Sequence, residues 1–60
     1  MTYYLTMKAN FIENATRHIA RKGNDASALE KIGHELAKEY EETCIVELYA
    51  GNWEYLETIH

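Results

Sequence analysis

Four side chains in this sixty-residue chain have the chemistry of metal ligands, or of a nucleophile with its base: His18, His34, His60 and Cys44. A zinc site needs such residues at close, matched spacings, and these stand singly along the chain. A Cys–His pair would further need an orienting group, an oxyanion site and a concave pocket. A chain this short leaves little volume for one. The glycines, at 23, 33 and 51, are isolated, so there is no Gly-rich phosphate loop. The carboxylates are numerous but fall in patterns that read as exposed. The residue types therefore predict no catalytic residues, no metal and no cofactor, and a protein that is not an enzyme.

Two other sets of residues have the chemistry of binding. The first lies in C-I-V-E-L-Y-A-G-N-W-E-Y-L-E-T-I, Cys44 to Ile59, which carries more large apolar side chains than one buried face can use. The second is basic: Lys8, Arg17, Arg21 and Lys22, with His18 among them and Tyr4 nearby. Cations interleaved with aromatic rings suit phosphate contact and base stacking. The net charge of −4 is unevenly spread: residues 1–23 hold four cations against Glu13, whereas residues 24–60 hold two against nine carboxylates. Such a split predicts one basic and one acidic surface if the halves separate in space.

These residues must be positioned by elements whose type is set by hydrophobic periodicity, since proline, repeats and low-complexity tracts are absent. Tyr3, Leu5, Met7, Ala9 and Phe11 alternate with Tyr4, Thr6, Lys8, Asn10 and Ile12, which predicts a long first strand with one buried side. From Asp25 to Glu42, Leu29, Ile32, Gly33, Leu36, Ala37 and Tyr40 recur at spacings of three and four, the stripe of an amphipathic helix. Asp25 or Ser27 would cap it, the latter forming a capping box with Glu30. Gly33 costs the helix about 1 kcal/mol relative to alanine, a cost that close approach of a sheet would offset. Glu41 and Glu42 sit where the helix dipole prefers cations.

Thr43–Tyr49 and Trp53–Ile59 read as a hairpin around Ala50-Gly51-Asn52, residues tolerant of positive φ. Residues 14–23 have two readings. As a strand, the segment puts Thr16, His18 and Ala20 on one face and Arg17, Ile19 and Arg21 on the other. As a helix, it would be capped by Asn10 and ended by Gly23. The strand is preferred because it leaves one helix to cover one face of a sheet. The expected fold is α+β, a two-layer ββαββ arrangement of a four-stranded antiparallel sheet and one covering helix, with βααββ as the alternative. Residues 1–60 make one domain.

With a three-residue connection, Tyr49 faces Trp53, Glu47 faces Tyr55 and Ile45 faces Glu57. The helix then covers Val46, Leu48 and Leu56, leaving Ile45, Tyr49, Trp53 and Tyr55 on the open face with Tyr4 and Ile12. With a two-residue turn, Tyr55 and Ile59 turn inward instead. Either register leaves large apolar residues uncovered. An exposed apolar patch marks an interface, and Trp and Tyr are frequent energetic anchors, although half-exposed aromatic ladders also stabilise thin sheets.

A single cysteine forms no internal disulfide, which suits a reducing, cytoplasmic setting. The start M-T-Y-Y-L-T-M-K does not read as a signal peptide, no apolar run is long enough to span a bilayer, and Asn14-Ala15-Thr16 is read as a chance glycosylation match. The start "TYYLTMKA", the helix "DASALEKIGHELAKEY" and the hairpin "TCIVELYAGNWEYLETI" together resemble the small acidic α/β proteins encoded by phages and prophages, anti-CRISPR inhibitors among them. The resemblance spans most of the chain and rests on size, charge and element order. It implies a non-enzymatic protein-binding module, an inhibitor that occludes a host nucleic-acid-handling complex. Tyr49, Trp53, Tyr55 and Ile45 would then anchor, with Glu35, Glu39, Glu42 and Glu54 meeting a basic surface on that complex. The alternatives are a small nucleic-acid-binding protein using Lys8, Arg17, Arg21 and Lys22, and a homodimer paired through the open sheet face.

Overall fold

The computed structural model describes residues 1–60. Its elements run β1 (Tyr3–Ala9), β2 (His18–Gly23), α1 (Ala26–Glu39), β3 (Cys44–Ala50) and β4 (Tyr55–Thr58). The strands form one antiparallel sheet in the order β2-β1-β3-β4. The fold is the expected α+β ββαββ arrangement, and residues 18–23 are a strand, which removes βααββ.

The first strand is shorter than its alternation. Asn10 N–H donates to the Thr43 carbonyl at 2.9 Å, and the paired ladder ends at Ala9 opposite Cys44. Pairing with β2 stops at Met7 opposite His18. Beyond these points Phe11 and Ile12 have no strand beside them, and both are exposed in the connection to β2. Periodicity within a segment carries no record of where its neighbours end.

Helix α1 is capped by Asp25, whose Oδ1 accepts from the Ser27 N–H at 3.0 Å and the Ala28 N–H at 3.2 Å. One carboxylate thus satisfies two of the orphan donors of the first turn, and Ser27 is not the cap. The helix stops at Tyr40, whose N–H returns to the Leu36 carbonyl. Glu41 and Glu42 therefore lie beyond it, and the last turn holds Lys38, the sign the dipole favours.

The core is a thin layer between α1 and one face of the sheet. Leu5, Val46 and Leu48 from the central strands meet Leu29 and Ala37, ringed by Tyr3, Met7, Ile32, Leu36 and Ile59. Leu5 opposite Leu48 and Met7 opposite Val46 fix this register, because a slip of one residue would turn every one of these side chains to solvent. Gly33 makes the close approach possible. A Cβ there would press on the δ-methyl of Ile59 and stand 3.0 Å from that of Leu5, which has no exposed surface.

Gly33→Ala sets a helix-propensity gain of about 1 kcal/mol against overpacking that typically costs about 1–3 kcal/mol. Leu5 has nowhere to move, so overpacking wins. The variant is expected to unfold at lower denaturant than the parent; an unchanged or higher midpoint would contradict this account of the core.

Candidate interaction surface on the open sheet face

The helix covers only one side of the sheet, so the residues that alternate with the core occupy the other. On β1 these are Tyr4, Thr6 and Lys8, opposite Tyr49, Glu47 and Ile45 of β3. On β2, Lys22 lies opposite Tyr4 and Ile19 opposite Thr6. A bulge between them leaves Ala20 as the extra residue and moves Arg21 opposite Leu5, on the helix side. Arg21 is thereby separated from Ile19, with which strict alternation had grouped it. Of the four basic residues singled out in the sequence, Lys8, Arg17 and Lys22 reach the open face and Arg21 does not.

A second bulge shapes the hairpin. Tyr49 lies opposite Tyr55, Leu48 opposite Glu57 and Glu47 opposite Thr58, with Leu56 as the extra residue. Neither anticipated register holds. Tyr49 does not pair with Trp53 across the ladder, Glu47 faces Thr58 rather than Tyr55, and Glu57 pairs with Leu48 rather than Ile45. Leu56 is exposed instead of covered by the helix. Ile59 takes the inward place, held by its N–H to the Val46 carbonyl at 2.8 Å.

The turn itself puts its left-handed residue where no local rule would place it. Trp53 N–H donates to the Ala50 carbonyl at 2.8 Å, and Ala50 N–H to the Glu54 carbonyl at 2.9 Å. The positive φ, 63°, falls on Trp53, and none of the glycines has one. For a residue with a Cβ this conformation costs roughly 1–2 kcal/mol. Stacking offsets it: the indole lies on the Tyr4 ring at 4.7 Å between centroids and 12° between planes, and meets Tyr49 tilted at 5.7 Å. Such pairs contribute about 0.5–1.5 kcal/mol beyond the area they bury. Tyr55 completes the group, edge-on to Tyr49 at 5.8 Å, with its hydroxyl 2.6 Å from the Thr58 hydroxyl.

Glu47 sits at the centre of this face. Its Oε1 accepts from Arg17 at 3.5 Å and from the Tyr49 hydroxyl at 3.4 Å, with the Lys8 ammonium at 4.0 Å. The Arg17 guanidinium lies 4.8 Å above the Tyr49 ring. Covered by Arg17, Trp53 and Tyr55, Tyr49 is only 8% exposed, whereas Trp53 is 51% and Tyr55 53% exposed. The four rings are therefore partly a ladder and partly an open surface: Tyr49 forms the floor and does not protrude as an anchor. Its phenol is held above the ordinary tyrosine range, first by burial and then by the Glu47 carboxylate, while Arg17 pulls the other way.

The anticipated acidic partners divide. Glu35 and Glu39 lie exposed on α1, in the layer opposite the aromatic face, and Glu42 is in the turn after α1. Only Glu54, next to Trp53 in the chain, stands by the rings. The largest hollow, about 390 Å³, lies beneath the 10–17 connection among Ala9, Ile12, Asn14, Ala15, Thr16 and His18. No three His, Cys, Asp or Glu side chains come together in a metal-holding group, and no helix is long and apolar enough to cross a membrane. Neither family models, curated protein sequences nor solved structures give a match to this chain.

Ile19 and Glu47 were not among the anticipated interaction residues, whereas Tyr4 was expected on the open face. The alternation Tyr4-Thr6-Lys8 already put Tyr4 beside the hairpin, but nothing local signals that one carboxylate would gather Arg17, Lys8 and Tyr49.

Two expectations follow from this geometry. Glycine tolerates the left-handed turn and alanine does not, so Trp53→Gly is expected to be about 1 kcal/mol more stable than Trp53→Ala, although both lose the stack; equal unfolding midpoints would deny the strain. Folding also disfavours ionised Tyr49. The stability tied to its raised pKa is complete below the ordinary tyrosine pKa and is lost as pH climbs through the folded value. Alkaline titration followed at the tyrosinate absorbance should show one phenol ionising after the others, and Tyr49→Phe should remove that late phase.

Proposed function

We propose that this chain is a non-enzymatic binding module that engages a macromolecular partner through the open face of its sheet. One observation carries the reading. A half-exposed indole is fixed in a costly backbone conformation and stacked on Tyr4, on a face that also carries the half-exposed Tyr55 and Ile19. Strained residues persist where the surrounding structure over-determines them, and they concentrate at binding and catalytic sites. Preorganised aromatic side chains bind at low entropic cost, because little freedom remains to be lost.

The footprint is narrower than the one expected from sequence. Trp53 and Tyr55 are its protruding anchors, Ile45 lies on the same face, and Tyr49 supports them from below. Glu35 and Glu39 belong to the opposite layer, so a flat partner seated on the rings does not reach them. Occlusion of a nucleic-acid-handling complex, the role implied by the resemblance to small phage-encoded inhibitors, would use this aromatic face first. Any contribution of the acidic helix would require a partner that wraps around the domain.

The test compares faces. The tagged chain is used to capture partners from a host lysate, alongside Trp53→Ala with Tyr55→Ala and, separately, Glu35→Gln with Glu39→Gln, each checked for fold by circular dichroism. Capture should fail for the aromatic pair and survive in the helix pair. The reverse pattern would move recognition to α1 and end this reading.

A further inference from the structure

We infer that the partner of the open face is single-stranded nucleic acid, with its bases on the exposed rings and its phosphates along the cations of the same face. This rests on the reading of that face as the recognition surface and names what it recognises.

Three observations converge. First, the layers differ in charge: Lys8, Arg17 and Lys22 lie on the open face against Glu47, with Glu54 beside Trp53 at its edge, while Glu30, Glu35 and Glu39 belong to α1 in the other layer, with Lys31 and Lys38. Glu47 is already engaged by Lys8, Arg17 and the Tyr49 hydroxyl, and Lys22 has no ion-pair partner. The face therefore presents excess positive charge on a chain whose net charge is −4.

Second, the rings are arranged for stacking. One surface of the Trp53 indole is taken by Tyr4, nearly parallel to it, and the side chain remains half exposed. Base–aromatic stacking is tolerant of sequence, because every base has a π-face. Third, cations and rings interleave along one short line. Lys22 lies opposite Tyr4, Tyr4 under Trp53, and Arg17 over Tyr49. A protein surface has no need of that alternation, whereas a strand of stacked bases joined by phosphates matches it. A duplex hides its base faces and is excluded from the stacking sites.

Trp53 is the chain's one tryptophan, so its fluorescence reports this site alone. The intact chain is titrated at low salt with dT12 and with rU12, which separate DNA from RNA. A 12-base-pair duplex and heparin, a polyanion without bases, serve as controls. Both single strands, or one of them, should quench Trp53, and the duplex and heparin should not. The slope of log affinity against log salt should lie near −2, since each phosphate neutralised on a single strand contributes about −0.7. Labelled-strand anisotropy should show a loss of roughly tenfold or more for Tyr55→Ala or Trp53→Leu, of the order of one stacked base. Lys22→Gln, exposed and outside the core, should flatten the salt slope by about 0.7 with the fold intact.

Absence of quenching and of anisotropy change up to millimolar strand overturns the inference. So does strand binding that heparin reproduces and Tyr55→Ala leaves unchanged, which would be adhesion of a polyanion. If the strands fail while nuclease-treated lysate still yields a protein lost on Trp53→Ala with Tyr55→Ala, the partner is a protein and the open-face reading stands without this one.

Discussion

A single helix has one apolar stripe, and here it is committed wholly to one side of a four-stranded sheet. The α1 cylinder is about 10–12 Å across with its side chains, and strands stand about 4.8 Å apart, so it shelters little more than the two central strands. Leu5, Val46 and Leu48 fill that shelter. Everything else about the molecule follows from the side that has no second layer. The residues alternating with the core must find cover among themselves, or remain in contact with water.

They do both. Tyr49 is buried by two neighbouring rings and a guanidinium, without any help from the helix. Arg17 belongs to an irregular connection, yet it closes the cluster from above by stacking on Tyr49 and pairing with Glu47. The ion pair itself is modest, since the Arg17 side chain is 37% exposed and surface pairs contribute about 0–1 kcal/mol. Its value is geometric. Glu47 orients a cation, an ammonium and a phenol around one oxygen, which keeps the rings in a single arrangement instead of several. The aromatic cluster thus acts as a partial second layer, thin enough that Trp53 and Tyr55 stay half in water.

How much of this could be read beforehand depends on the range of the interaction. The two periodicities were legible: alternation showed the first strand, and spacings of three and four showed the helix, including the need for Gly33 at a close contact. The alternation ran on to Ile12, whereas pairing ends at Ala9, and the helical reading was carried on to Glu42, whereas the helix ends at Glu39. For residues 14–23 the strand was the better of two readings, because a lone helix had to be matched to a sheet it could cover, although the strand begins only at His18. The bulges at Ala20 and Leu56 were not legible. Each adds one residue to one strand of a pair, which changes no local composition yet reverses the side on which every later residue falls. Strict alternation therefore grouped Arg21 with Ile19, from which the bulge separates it, and misplaced Tyr55 relative to Glu47. The left-handed residue was misassigned for a related reason. Gly51 and Asn52 are the stronger local signals, and only the stack on Tyr4, forty-nine positions away in the chain, makes Trp53 the residue that bears the strain.

The separation of charge between the layers has the same origin. α1 must face the core with its apolar stripe, so its carboxylates are carried to the outside of one layer. β1 and β2 present alternate residues to the open side, which places Lys8 and Lys22 there once the β2 bulge is counted, and Arg17 reaches the same side from the connection through Glu47 and Tyr49. The uneven charge along the chain is thereby converted into two surfaces of opposite character on a body only 15 Å through its shortest axis. At physiological ionic strength the screening length is about 8 Å. Each face therefore presents mainly its own sign to an approaching partner, despite the chain's overall negative charge. The charge this domain shows to its surroundings is accordingly a property of a face, and its net charge is a poor guide to either one.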